Sequence, residues 1–193
     1  MTRFKLILAI ILSFFIYGYP SAQEIPKEFL ITSGKVGNFP LNESIYVIMD
    51  KLGSEKAFKA GYVKVGDREV PCMYIYLVDE KKHSLILELK KIYQVSSDDV
   101  VGRIQVFDER FSTEKGIKVG SLFKEIVEAH DTVNVDCANV SSGYCIVKTN
   151  DIDAQFFIKI SIKVVAKLLT REGEEFVLPE DAKVEYIAIG YTP

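Results

Sequence analysis

The period-two alternation of apolar residues between Ala60 and Leu89 constrains the fold of this chain more than any other feature. One alternating segment covers Tyr62–Val65, and the turn dipeptide Gly66-Asp67 separates it from a second segment, Pro71–Val78. A third segment follows a charged turn and ends at Leu89. Because strands joined by short turns pair in opposite directions, this pattern predicts a meander of antiparallel strands.

Two stretches change to the helical period. Between Ile45 and Leu52 the apolar residues fall at i, i+3, i+4 and i+7, and Gly53 follows as a C-cap. In the second stretch Ser121 is the predicted N-cap, and the apolar residues of Leu122–Val127 form the predicted buried stripe. A strand, a glycine turn and a short helix thus occur twice, as expected for two pseudo-repeated halves. We therefore expect an α+β fold in which an antiparallel sheet is covered by two short helices.

The N-terminal segment has the order of charge, apolar core and cleavage site that is typical of a secretory signal. Two basic residues precede an apolar run that begins at Leu6, and Ala22 supplies the small residue at which a signal peptidase cuts. The run is shorter than the roughly 20 apolar residues of a membrane-spanning helix. We therefore expect a signal peptide over 1–22, a single domain over 23–193, and a periplasmic or secreted mature protein. An uncleaved anchor is the alternative, because Pro20 stands where a small residue is preferred.

The charge of the chain excludes one large class of partners. Formal net charge is -3, from 24 basic and 27 acidic residues that are interspersed along the sequence. Because proteins that bind DNA or RNA cluster their positive charge, we expect no nucleic-acid partner. No cysteine follows the apolar run, so we expect no bacterial lipid anchor and only indirect contact with a membrane.

Three cysteines gain importance in an oxidising compartment, where thiols pair. Cys137 and Cys145 flank a run of turn-forming residues between two short β-like segments, so a hairpin would bring them together. Cys72 is then the odd cysteine. The sequence leaves three interpretations of Cys72 open, namely a buried free thiol, an intermolecular disulfide and a reactive thiol.

The ionisable residues form no pattern that predicts catalysis. His83 lies in a charged turn, and His130 ends the second predicted helix, where its charge would favour the helix dipole. The acidic pairs lie in predicted turns and lack the spacing of a calcium loop, and the chain has neither a phosphate loop nor a nucleophile elbow. We expect no enzyme activity, no cofactor and no metal. A hydrolase would need a cleft that joins His83 or His130 to a carboxylate pair.

Tyrosines of the predicted meander are the strongest candidates for a binding site. Tyr74 and Tyr76 point to the same face of their strand because side chains alternate, and Tyr62 joins them across the hairpin. Such rings give a partner a large contact area with a polar end. Packing of Tyr74 and Tyr76 under a helix is the alternative interpretation.

Two kinds of binding function are consistent with these features of the sequence. We expect first an interaction module that contacts another envelope protein through its tyrosines. The second expectation is a small-molecule-binding domain, which requires the sheet and the helices to enclose an apolar pocket.

Several blocks of the chain resemble one bacterial protein family. They are Ile31–Gly37, Gly102–Phe107, Phe111–Ser121 with its glycine turn Gly116–Ser121, the pair Cys137 and Cys145, and Pro179–Val184. Together they resemble the sigma-E-regulated lipoproteins of the bacterial envelope, a family of unknown function, over most of the mature chain. The resemblance implies a periplasmic location and a disulfide between Cys137 and Cys145, and it implies no reaction. The chain departs from the family because it has no cysteine near Ala22 for lipid attachment.

Overall fold

The computed structural model describes residues 25–52, 58–77, 81–90, 99–137, 143–161 and 178–190. The predicted signal peptide lies outside the described residues. A short 3-10 helix, Lys27–Phe29, precedes the first strand. The two α-helices of the described residues are α1, Ile45–Leu52, and α2, Phe123–Ala129.

Twelve β-strands account for most of the regular structure in the described residues. Their bounds are β1 Leu30–Thr32, β2 Lys35–Val36, β3 Phe39–Pro40, β4 Phe58–Val65, β5 Arg68–Ile75, β6 Leu85–Leu89, β7 Val101–Val106, β8 Ser112–Thr113, β9 Val133–Asp136, β10 Tyr144–Thr149, β11 Ala154–Lys159 and β12 Val184–Gly190.

The strands form a large antiparallel sheet and a small mixed sheet. The large sheet has eight strands in the order β4-β5-β6-β7-β12-β11-β10-β9, and the small sheet has four in the order β3-β2-β1-β8. From β4 to β7 each strand pairs antiparallel with the next strand along the chain. The predicted antiparallel meander is therefore confirmed.

One face of the large sheet carries the main hydrophobic core. Its strands contribute side chains that are fully buried, among them Ile75, Leu87, Ile104, Phe156 and Ile187. These residues form one apolar cluster with side chains of the small sheet and of both helices. The small sheet and the helices therefore lie on the same side of the large sheet.

The expected α+β arrangement, a sheet covered by two helices, is wrong because the helices are too short. α1 has eight residues and α2 has seven, so each is about 11–12 Å long, whereas eight strands spaced about 4.8 Å apart span roughly 34 Å. α2 buries Ile126 completely, but Val127 of the predicted buried stripe is 49% exposed. The protein is mostly β, and strands of the small sheet supply cover that the helices cannot.

The two strand, turn and helix stretches do not form two equivalent halves. β1 pairs in parallel with β8, so that Ile31 lies opposite Thr113 and the two stretches are adjacent. The first stretch continues into β2 and β3 before α1 begins, whereas the second contributes only the two residues of β8 to the same sheet. The pseudo-repeat predicted from the sequence is therefore a local similarity and does not divide the fold.

The predicted disulfide between Cys137 and Cys145 is confirmed. Cys145 lies in β10, and Cys137 directly follows β9. Because Ile146 lies opposite Asp136 in the antiparallel ladder, the two cysteines also lie opposite each other, with their Cα atoms 4.4 Å apart. This spacing is typical of directly opposed residues in an antiparallel pair. The bond therefore joins β9 and β10, the two strands at one edge of the large sheet.

We expect the double substitution Cys137→Ser and Cys145→Ser to lower the free energy of unfolding by about 2–3 kcal/mol, because it removes the constraint on a short loop of the unfolded chain. Equilibrium denaturation with guanidinium measures the change. A reductant should lower the midpoint of the wild type and leave that of the double variant unchanged. Equal stability of the oxidised wild type and the double variant would contradict a stabilising role of the bond.

Candidate functional site

The face of the large sheet opposite the core carries polar residues that are buried. Glu88 of β6 lies opposite Arg103 of β7 in the antiparallel ladder, and Gln105 follows on the same face of β7. Their exposed fractions are only 2%, 4% and 6%. When polar and apolar residues alternate along a strand, the polar side chains usually face solvent. The burial of Glu88, Arg103 and Gln105 therefore requires that other parts of the protein cover this face.

The large sheet curls until both of its edges line the same cavity, which has a volume of about 810 Å³. One wall is the tip of the β4–β5 hairpin, Val63–Asp67, and the opposite wall is formed by Asp136, Tyr144 and Ile146 of β9 and β10. These edge strands would lie roughly 34 Å apart in a flat sheet. The strong curvature therefore makes this face of the sheet concave.

The floor of this cavity combines two polar residues with three aromatic rings. It consists of Arg103, Gln105, Phe107, Phe157 and Tyr186. We call the cavity with these walls and this floor the basin.

A charged cluster lies at the bottom of the basin. Arg103 Nη1 donates a hydrogen bond to Glu88 Oε1 at 3.0 Å, and Gln105 Nε2 donates to the same oxygen. Arg103 Nε is buried and has no acceptor among the described residues. An unmatched buried donor costs about 1–3 kcal/mol, so the cluster is held together by the Glu88 contacts in spite of this cost.

Aromatic rings pack around this cluster. Tyr186 stacks on Phe157 at a centroid distance of 4.2 Å and on Phe107 at 5.2 Å, and Tyr144 meets Tyr186 edge-on at 5.6 Å. The Arg103 guanidinium lies 5.4 Å from the centroid of the Phe157 ring, within the range of a cation–π contact. Burial raises the pKa of Tyr186 well above its usual range, in spite of the nearby Arg103. Its hydroxyl therefore stays protonated at neutral pH.

The structure brings together the rings of two of the three predicted tyrosines, and the Tyr74 hydroxyl donates a hydrogen bond to the backbone oxygen of the third, Tyr62, at 2.7 Å. The rings of Tyr74 and Tyr76 both contact His83, at centroid distances of 5.3 Å and 6.4 Å. Tyr62 pairs with Pro71, whereas Tyr74 pairs with Lys59. Because side chains alternate between faces, the side chain of Tyr62 points away from Tyr74.

Tyr74 and Tyr76 are connected to the basin through His83. The ring of His83 meets Phe107 edge-on at 4.9 Å, and Phe107 in turn stacks on Tyr186. A continuous row of rings thus crosses the concave face, from the predicted tyrosines to the floor of the basin. The alternative of packing under a helix is replaced by packing against His83.

His83 is not joined to a catalytic carboxylate. Burial, and secondly Lys82, lowers the pKa of His83, so the ring is neutral at pH 7. It shares a cleft with Asp108 and Glu109, but among the described residues no hydrogen bond joins it to a carboxylate. Burial opposes ionisation of Asp108, but hydrogen bonds from Arg110 and Ser84 outweigh it and lower the pKa of Asp108 to about 2.

His130 has a carboxylate partner but no accessible proton-transfer atom. It caps the C-terminal end of α2, as predicted, and its Nδ1 lies 2.6 Å from Asp151 Oδ1. Asp151 also pairs with Lys115 at 2.6 Å, and this contact chiefly lowers the pKa of Asp151. The opposite nitrogen of the ring, Nε2, is buried without a partner in the described part of the chain. A general base must reach the proton that it removes, so this geometry favours a structural role for His130.

Within the described ranges, no group of three or more His, Cys, Asp and Glu residues is placed to hold a metal ion. The same ranges contain no helix that is long and apolar enough to cross a membrane.

Sequence reasoning missed the residues that form the basin. Arg103 and Gln105 alternate with the apolar residues of β7, and this alternation gives no sign of their burial. The useful signal was the presence of aromatic residues, Tyr144, Phe157 and Tyr186, at positions of the same sheet face. Only the register of three strands brings these positions together.

Cys72 is a fully buried free thiol beside the polar cluster, since it lies opposite Glu88 in the ladder. Burial raises the pKa of Cys72 to about 11, and Glu88 adds to this effect, while Tyr74 opposes it.

We expect iodoacetamide at pH 8 to modify Cys72 at least 100-fold more slowly in the native protein than in guanidinium. Comparable rates in the two states would contradict the burial. Because folding raises the pKa of Cys72, the contribution of this thiol to the free energy of unfolding is complete below about pH 9. That contribution is lost as the pH rises toward 11.

Comparisons with known proteins give a fold relationship without a function. No protein-family profile matches the chain, and no curated protein matches it. Among solved structures, the uncharacterized protein yfeY from Escherichia coli is similar, with a TM-score of 0.53 and 14% sequence identity. The similarity covers 83% of this chain and 99% of the other. At this level of identity it shows that the two chains share a fold.

Proposed function

We propose that this protein is an exported, non-enzymatic binding protein that holds a small apolar molecule with ring character in the basin. The observation that carries the proposal is the convergence of both edges of the large sheet on one cavity of about 810 Å³. Small-molecule sites are typically concave, have volumes of about 300–1,000 Å³, and are lined by apolar and aromatic groups with a few polar ones. The basin has rings on its floor, apolar side chains on its walls, and polar groups at Arg103, Gln105 and the rim residues Lys64, Asp67 and Asp136.

Two features support an exported, periplasmic location. The first 22 residues have the pattern of a secretory signal. The Cys137–Cys145 bond is of a kind that persists in oxidising compartments and is rare in the cytosol.

The apolar part of the basin is large enough for useful affinity. A two-ring hydrocarbon that buries about 250 Å² of apolar surface gains roughly 6 kcal/mol. If this gain alone set the affinity, the Kd would be on the order of 10–100 μM. We therefore expect neutral aromatic probes to bind at micromolar concentrations.

We expect Ile146→Trp to weaken binding of the fluorescent probe N-phenyl-1-naphthylamine at least tenfold, because the larger side chain fills part of the basin from its β10 wall. Titration of the purified mature protein, monitored by probe emission, measures the Kd.

Lys148→Trp is the matched control, since Lys148 lies on the same strand and the same sheet face as Ile146 but is exposed and does not line the basin. The control should bind the probe as the wild type does. Equal affinity of both variants, or no binding by the wild type, would contradict the proposal.

A protein partner in the envelope is the second candidate function, and the exposure of Tyr62 favours it. Tyr62 is 53% exposed and lies on β4, an edge strand of the large sheet. Its side chain points away from the Tyr74 face. Exposed tyrosines are common anchors of protein interfaces, and this surface is separate from the basin.

We expect a photo-crosslinking amino acid at position 62 to yield one discrete adduct with an envelope protein in intact cells, because a partner seated on this surface covers Tyr62. The same amino acid at Tyr46, which is 63% exposed on α1, is the control and should give no such adduct. Gel shifts after irradiation measure adduct formation at both positions. Identical patterns at the two positions would count against a partner on the Tyr62 surface.

A further inference from the structure

We infer that the outer edge of β4 binds an extended, acidic segment of a partner protein, which adds to the large sheet as a strand antiparallel to β4. The inference rests on the second candidate function, a protein partner on the Tyr62 surface, and specifies the conformation and the charge of that partner.

β4 is the longer of the two edge strands of the large sheet. Its eight residues are all exposed or half-buried, and in the described ranges only β5 pairs with it. The pairing with β5 runs from Phe58 to Val65 without a bulge. The opposite edge strand, β9, has only four residues. A long, regular edge strand offers a row of unpaired backbone groups to another strand.

The register of the hairpin shows which backbone groups of β4 point outward. Gly66-Asp67 is a two-residue turn, so Val65 and Arg68 form the first hydrogen-bonded pair. Bonded and non-bonded pairs then alternate, and Tyr62 falls in a non-bonded pair with Pro71, which has no N–H. The N–H and C=O of Tyr62 therefore point away from β5. The other residues of β4 with outward backbone groups are Phe58, Ala60 and Lys64.

A side chain of the protein already reaches one of these outward groups. The Tyr74 hydroxyl donates its hydrogen bond to Tyr62 O at 2.7 Å. The ring of Tyr74 crosses β4 over Gly61, where a Cβ would stand 2.6 Å from the ring. Because a carbonyl oxygen has two lone pairs, Tyr62 O can accept a second hydrogen bond from an added strand.

The charges of β4 favour an acidic partner over a second copy of this chain. Lys59 and Lys64 are exposed, and β4 has no acidic residue. Neither lysine forms an ion pair within the described part of the chain, although Glu69 lies opposite Lys64. Two copies joined through β4 would bring four lysines to one interface, whereas acidic side chains on the added strand would pair with them. Lysines on an edge strand also discourage pairing with uncharged strands.

Antiparallel pairing fixes the spacing of the acidic residues in the partner. We expect this direction because every strand pair of the large sheet is antiparallel. The partner residues opposite Lys64, Tyr62 and Lys59 are then the first, third and sixth of a six-residue stretch. We expect acidic residues at the first and sixth positions, and an aromatic or β-branched residue at the third, where it packs beside the exposed ring of Tyr62.

Two octapeptides test the charge of the partner. TEVYSTEV carries the expected pattern, and TKVYSTKV reverses its two charges. Fluorescence anisotropy of the dye-labelled peptides, titrated with the purified mature protein, gives the Kd values. We expect saturable binding of the acidic peptide, at least tenfold tighter than that of the basic peptide. The double substitution Lys59→Glu and Lys64→Glu changes only exposed side chains and should reverse this order.

N-methylation of the acidic peptide separates strand addition from docking by side chains alone. In the expected pairing the N–H of the peptide's tyrosine faces β4, whereas the N–H of its serine faces away. Methylation at the tyrosine should weaken binding at least tenfold, because it removes a hydrogen bond and places a methyl group between the strands. Methylation at the serine should change the Kd by less than about twofold.

A proline in β4 makes the same test from the side of the protein. Ala60→Pro removes an outward N–H that β5 does not use, and proline is tolerated at such positions of edge strands. It should weaken binding of the acidic peptide about fivefold. Ala60→Thr is the matched control, since threonine keeps the N–H and suits a strand, and it should bind as the wild type does.

The outcomes separate the inference from the function on which it rests. Equal binding of the acidic and basic peptides, or equal effects of the two methylations, would overturn the inference. Absence of peptide binding at millimolar concentration would overturn it as well. The crosslinked adduct at position 62 decides separately whether a partner covers that surface, so an adduct without peptide binding would overturn strand addition alone.

Discussion

The buried ion pair between Glu88 and Arg103 is the interaction on which the concave face of the large sheet depends. Each of these charges loses several kcal/mol of hydration on burial, and only close pairing with good hydrogen bonds compensates for that loss. The pair therefore fixes the register of β6 against β7, because a one-residue slip of β6 would move Glu88 to the core face and leave Arg103 without its partner. With that register fixed, Gln105 completes the cluster and Phe157 packs over the guanidinium.

The curvature of the sheet converts this polar centre into a site. A flat sheet would leave Glu88 and Arg103 hydrated, and the rings of Tyr186 and Phe157 would form an exposed patch. Here the β4–β5 hairpin and the β9–β10 hairpin flank the basin from opposite sides, and Glu88 and Arg103 are buried beneath it. Low local polarity strengthens the electrostatic contacts that remain. The architecture thus combines a cavity floored by aromatic rings with a buried charged cluster beneath it.

Local patterns in the sequence predicted the strands and helices but not the shape of the sheet. Alternation identified the β4–β5 hairpin and β6, helical spacing located α1 and α2, and the residues around Cys137 and Cys145 indicated their hairpin. Curvature is a property of the whole sheet, so alternation at Arg103 and Gln105 shows which residues share a face without showing whether that face is buried. The strands of the small sheet have two or three residues and are too short to show a period.

The position of the disulfide makes the rigidity of the basin depend on the redox state of two cysteines. Cys145 stands between Tyr144 and Ile146, two residues of the basin wall, and Cys137 follows Asp136 of the same wall. When these thiols are reduced, the two strands of this wall lack their covalent tie and are held by their backbone hydrogen bonds alone. Oxidation of these two cysteines therefore stiffens one wall of the basin, and the redox state of the surroundings sets how firmly that wall is held.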